Sequence, residues 1–171
     1  TPLVRDALAV LAMGLQQTTV AAVEALLRSR FFDLPDAHSA LAQRFVRQLY
    51  TQGSMVLPVA ELLSDANRVS LGGARGLCLG QRLGALQSMR HLRRKALPSI
   101  WMVHFSDILS NWVWPGKQAL DSLEYQQRDL WDRTLDVFAT FDMVCEPMQF
   151  GAALALLRDC CKRQVSQPQT V

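Results

Sequence analysis

The densest charge in the chain is Arg90-His91-Leu92-Arg93-Arg94-Lys95, with Arg82 two turns earlier. Guanidinium and ammonium groups gathered this closely can hold phosphates by charge. Such contacts position a nucleic acid without reading its sequence. Two other readings fit the same residues. Cations at a helix C-terminus complement the helix dipole or face solvent, and a basic cluster can meet an acidic partner surface. A net charge of +3 over 171 residues does not choose among them.

A second cluster is aromatic: Trp101, His104, Phe105, Trp112 and Trp114. Exposed rings can stack on unpaired bases. Trp101, Phe105 and Ile108 fall at helical spacing, which favours a core role. A buried indole N–H needs an acceptor, and Asn111 and Asp107 are the nearby candidates.

Other chemistry finds no carrier in the sequence. There is no GxxxxGK[ST] phosphate loop, and Gly72, Gly73 and Gly76 make no dinucleotide fingerprint. His38, His91 and His104 fit no HExxH or zinc spacing. There is no GxSxG elbow. Asp129, Asp132 and Asp136 follow at steps of three and four, the spacing of a solvated helix face rather than a two-metal site. Cys78, Cys145, Cys160 and Cys161 lack paired metal or redox spacing and read as reduced thiols, in keeping with a cytoplasmic location. No catalytic residue and no metal ligand is expected.

The elements that position these residues are helices. Hydrophobic residues make up 50% of the chain and charged residues 19%, which argues against disorder. Leu (27) and Ala (19) dominate while Ile and Tyr occur twice each, so a sheet protein is nearly excluded. No run of about 18 apolar residues exists, so no membrane span and no membrane partner are expected. Arg outnumbers Lys 15 to 3, a skew that a GC-rich coding bias explains as well as function does.

Periodicity and caps predict a compact all-α array of seven to eight helices. They cover about 3–13, 20–28 (capped by Thr18 or Thr19), 37–51 (capped by Asp36), 58–66, 77–97, 99–112, 122–141 (capped by Asp121 or Ser122) and 147–163. The basic cluster then ends the fifth helix. Residues 67 to 76, with three glycines, read as a loop. Trp114-Pro115-Gly116 reads as a sharp turn, and Ser122-Leu123-Glu124 falls just short of a capping box. The last eight residues are polar and expected to be loose.

The stretch Trp112-Val113-Trp114-Pro115-Gly116-Lys117-Gln118-Ala119-Leu120-Asp121-Ser122-Leu123-Glu124-Tyr125-Gln126 resembles a signature of bacterial AddB-like DNA repair proteins that carry a PD-(D/E)XK nuclease domain. Phe105 to Trp112, Gln127 to Phe141 with Trp131, and Ala152 to Leu157 are in keeping with that family. Leu26-Leu27-Arg28-Ser29-Arg30-Phe31-Phe32 resembles the LLRSPF element opening the helical insertion of UvrD- and AddB-type helicases, with Arg30 where Pro is usual.

The resemblance implies a single helical domain over residues 1–171, similar to a helicase 2B-type accessory insertion. A beginning at Thr1 without Met, and an end at Val171 before an expected strand, fit a piece of a longer helicase-like nuclease. No signal peptide is read at the start. DNA and a helicase–nuclease partner subunit are the implied partners. The parent would use Mg2+; ATP stays open, because some helicase-like subunits have lost its hydrolysis. Neither cofactor is placed in this segment. Trp114, Pro115, Gly116, Ser122, Glu124, Tyr125 and Gln126 carry the signature, with structural roles expected: Pro-Gly fixes the turn, and Tyr125 and Trp131 pack on the sixth helix. Arg82, Arg90, Arg93, Arg94 and Lys95 are the expected phosphate contacts.

Two alternatives stand beside this reading. One is a helical ligand-binding or regulatory domain, which calls for an apolar pocket lined by Trp101 and Phe105. The other is a protein–protein adaptor.

Overall fold

Pro2 starts the first helix at the position where its missing N–H and fixed φ cost nothing. In the computed structural model, which describes residues 1–166, this helix is α1 (Pro2–Ala12). The others are α2 (Val20–Arg28), α3 (Ala40–Thr51), α4 (Val59–Arg68), α5 (Cys78–Ser88), α6 (Pro98–Asn111), α7 (Ser122–Thr140) and α8 (Phe150–Ser166). The expected all-α class is what the chain adopts.

α1, α6, α7 and α8 all touch one another and form the centre. The α2–α3 pair packs beside them through α1, and α4 packs on α5. Trp101, fully buried on α6, stacks on Phe105 and meets Phe150 of α8 edge-on. Phe105 in turn contacts Phe138 of α7 and Phe150. Four rings from three helices thus fill the middle of the core, each burying area on the scale of about 150–250 Å2. Trp101, Phe105, Trp112 and Trp114 are therefore core, and their rings are closed to bases.

Two short strand pairs join the helices. β1 (Gln17–Thr19) lies antiparallel to β2 (Val56–Pro58), with Thr18 opposite Leu57. It ties the start of α2 to the start of α4. Residues 67–76 are more ordered than a loop. β3 (Ser70–Leu71) pairs with β4 (Ala74–Arg75) through Gly72 and Gly73, at φ 56° and 86°. Positive φ at both central positions is the two-residue hairpin geometry that a Gly-Gly pair supplies cheaply.

Caps decide several boundaries. Thr19 caps α2, its hydroxyl oxygen accepting from Ala22 N–H at 3.1 Å. Ser39 rather than Asp36 caps α3, so that helix starts at Ala40. Asp36 instead accepts the first N–H of α5, from Cys78, at 2.8 Å. Asp121 and Glu124 form a full capping box at the start of α7. The Asp-x-x-Glu spacing was present in the sequence, one residue before the Ser122 position considered there. The eighth helix starts at Phe150, three residues beyond the expected Pro147. Of the tail expected to be loose, Gln164 to Ser166 still belong to α8 and residues 167–171 lie outside the described residues.

Candidate nucleic-acid interface

The fifth helix does not run to Leu97. It ends at Ser88, and Arg90–Arg93 form a separate 3-10 turn. The chain then extends through Arg94, and Ala96 exchanges two 2.9 Å backbone hydrogen bonds with Met148. This bridge competes with helix continuation and wins, because each of its partners is tied to an element already packed in the core. The last turn of α5 carries no basic residue, so dipole complementarity does not explain the cluster.

Arg90, Arg93, Arg94 and Lys95 are exposed on this turn. Among the described residues, the ion pairs form around other cations: Arg5, Arg28, Arg30, Arg68, Lys117 and Arg128. Arg82 does not join the four. Its Nη2 donates to Asp33 O at 3.1 Å and its Nη1 to Asn111 O. Those bonds fasten the end of α6 and the loop after α2 to α5. Arg82 is thus a brace, with its guanidinium spent on backbone carbonyls.

The turn is held from beneath. Leu92 packs against the core, and the His91 ring stacks on His104 of α6 with centroids 4.1 Å apart. His91 and His104 stand 13 positions apart and show no spacing motif, so only the fold reveals the pair. His91 Nε2 is buried without a hydrogen-bond partner among the described residues. Burial pushes the His104 imidazole toward its neutral form, His91 adds to this, and Asp107 opposes it. No group of three or more potential metal ligands occurs among the described residues.

Beside the turn lies a groove of about 600 Å3. Met13 and Leu15 after α1, Val59 of α4, Leu86 of α5, Met89 and Leu92 wall it, with Arg93 at its edge. The ligand-binding alternative called for a cavity lined by Trp101 and Phe105. Those two side chains are fully buried in ring contacts, and the groove is elsewhere.

The signature residues form a knot joining four parts of the chain. Trp114 is buried, its Nε1–H donates to Leu3 O at 3.3 Å, and its ring meets Trp131 edge-on. Arg128 covers the Trp114 ring at 4.8 Å. The Trp114–Pro115 peptide is cis. Gly116 sits at φ 95°, where a Cβ would lie 3.0 Å from Arg30 O, so the turn needs glycine on both counts. Glu124 is buried and takes the Arg30 guanidinium. Gln127 accepts from Leu3 N–H at 3.3 Å. Pro-Gly does shape the turn, and Trp131 is core.

Other expectations here are corrected. Asp121 is the cap residue, so Ser122 is the first helical position and exposed. Tyr125 and Gln126 point to solvent, with Tyr125 60% exposed, so Tyr125 does not pack on α6. The Trp101 indole donates to Met148 O at 2.8 Å, not to Asn111 or Asp107, which are exposed. Asp129, Asp132 and Asp136 are exposed as expected, with Asp132 paired to Arg128. The four cysteines are free thiols. No helix of the described residues is long and apolar enough to cross a membrane.

No protein-family model, no curated protein and no solved structure matches this chain.

Proposed function

We propose that this chain is the helical accessory domain of a bacterial AddB-like DNA repair exonuclease with helicase-like architecture. It contributes DNA contact or subunit docking and performs no catalysis of its own. The observation that carries the reading is the Arg90–Lys95 turn. Four cations project from a short segment pinned at both sides, and none has an acidic partner among the described residues. Cations without acidic partners are free to meet a phosphate backbone by charge.

The resemblance supplies the rest. The residues quoted for it in the Trp114 turn and at the start of α7 converge on the Arg30–Phe31 segment, the other quoted piece. In this reading the parent binds DNA ends in the cytoplasm and cuts them with Mg2+ held by a nuclease domain outside these residues. ATP, where hydrolysed, belongs to the helicase half, and a helicase–nuclease subunit is the protein partner.

The test uses a labelled duplex with a single-stranded overhang, incubated with the pure chain and Mg2+ or Mn2+. The expected result is a retarded, uncut duplex. No retardation at low salt, or metal-dependent cleavage by the pure chain, contradicts the reading.

A further inference from the structure

We propose that the groove beside the basic turn docks an acidic amphipathic helix of a partner protein. Its walls come from four elements: the end of α1, the start of α4, the end of α5 and the 3-10 turn. The apolar lining includes half-buried Met89, whose flexible thioether adapts to varied partner side chains. Half-buried Leu15 and Leu92 add aliphatic surface. A space of about 600 Å3 accepts several aliphatic anchors from one helix face.

Charge selects the sign of the partner. No Asp or Glu lines the groove, its polar lining is the neutral amides of Gln16, Gln87 and Gln149, and the single charged group is Arg93. Arg90 and Arg94 on the same turn extend the positive field beyond the rim. A helix with Leu-type residues on one face and carboxylates flanking them fits both features. The lining also argues against a nucleic-acid occupant. It contains no aromatic ring, so an unpaired base finds no stacking platform there. Of the cations proposed above to meet phosphate, Arg93 lines this groove, and Arg90 and Arg94 act on it only through their field.

The probe is a fluorescein-labelled peptide of about 15 residues, with Leu at i, i+3, i+4 and i+7 and Glu on the remaining faces. A control peptide of identical composition scatters the Leu residues. Three variants of the full chain accompany it: Ala60→Trp, Gln87→Glu and Arg93→Glu. All three positions are exposed and line the groove, so they change its space or charge without entering the core. A thermal melt confirms folding of each. The patterned peptide is expected to bind the natural chain, and each variant and the scattered control to weaken binding about tenfold or more. Equal binding of both peptides, or no effect of Ala60→Trp and Gln87→Glu, overturns the proposal. So does an oligothymidine that displaces the peptide and itself loses affinity on Ala60→Trp, because the groove would then be a nucleotide site.

Discussion

The Arg30 guanidinium reaches Glu124 across 94 positions of chain, and the same carboxylate accepts Asp121 N–H at 2.9 Å. One acidic side chain therefore closes the α7 capping box and anchors the segment after α2. The Arg30 side chain is 44% exposed and that of Glu124 only 10%. Removing the cation leaves a mostly buried carboxylate uncompensated, discounted for the solvent that reaches Arg30. Arg30→Ala should cost about 1–2 kcal/mol in urea unfolding, and Glu124→Ala more, since the cap goes with it. A double-mutant cycle should return a clear coupling between the two positions. Additive losses would show that the pair contributes nothing specific.

The Trp114 turn should tolerate no side chain at Gly116. Gly116→Ala combines an unfavourable φ of 95° with a Cβ 3.0 Å from the Arg30 carbonyl oxygen. The expected loss is about 1–3 kcal/mol. Gly53→Ala provides a contrast, because its φ of 75° is also left-handed but its Cβ would meet nothing within 4 Å. The Gly116 variant should be the less stable of the two by thermal melting.

The buried imidazole of His104 makes stability depend on pH in the acid direction. The folded imidazole of His104 takes up its proton less readily than a free histidine, whose ordinary pKa is 6.5. Between that value and the lower folded one, the unfolded chain binds the proton first. This contribution is therefore complete above about pH 6.5 and declines as pH falls. His104→Asn should flatten the decline in the urea midpoint between pH 7 and pH 5. An unchanged slope would show that the stack does not titrate with folding.

The adjacent thiols should behave as buried hydrophobes. Burial and the neighbouring Cys160 push Cys161 up to about 11, and burial raises Cys160 as well. At pH 8 neither offers much thiolate, so alkylation by iodoacetamide should label Cys78 and Cys145 first. The sign at the alkaline end is opposite to that of His104. The thiols' contribution is intact below the ordinary thiol value of 9.0 and is lost as pH rises above it. Mass spectrometry of the labelled chain, native against urea-unfolded, reads the difference directly.

Much of this architecture was legible in the residues, and the exceptions share a cause. Apolar periodicity and cap residues located all eight helices, since those signals are local. The end of α5 was not legible. Residues 89–97 are mostly good helix formers, yet the Ala96–Met148 bridge and the His91–His104 stack hold this stretch outside the helix. Asp36 was recognised as a cap, but for the wrong helix, because its true partner Cys78 lies 42 positions away. At the candidate site, the cations were readable from composition alone. The sequence could not separate Arg82, committed to two carbonyls, from the four that face solvent.

The central claim concerns that separation. The decisive measurement is the salt dependence of duplex binding, by fluorescence anisotropy, for the natural chain and for the variant with Arg90, Arg93, Arg94 and Lys95 all replaced by Ala. Each phosphate contact contributes about −0.9 to the slope of log Kobs against log [salt]. The account predicts that the fourfold variant loses affinity at low salt and that its slope shallows by roughly three to four. The same affinity and slope in both proteins would contradict it.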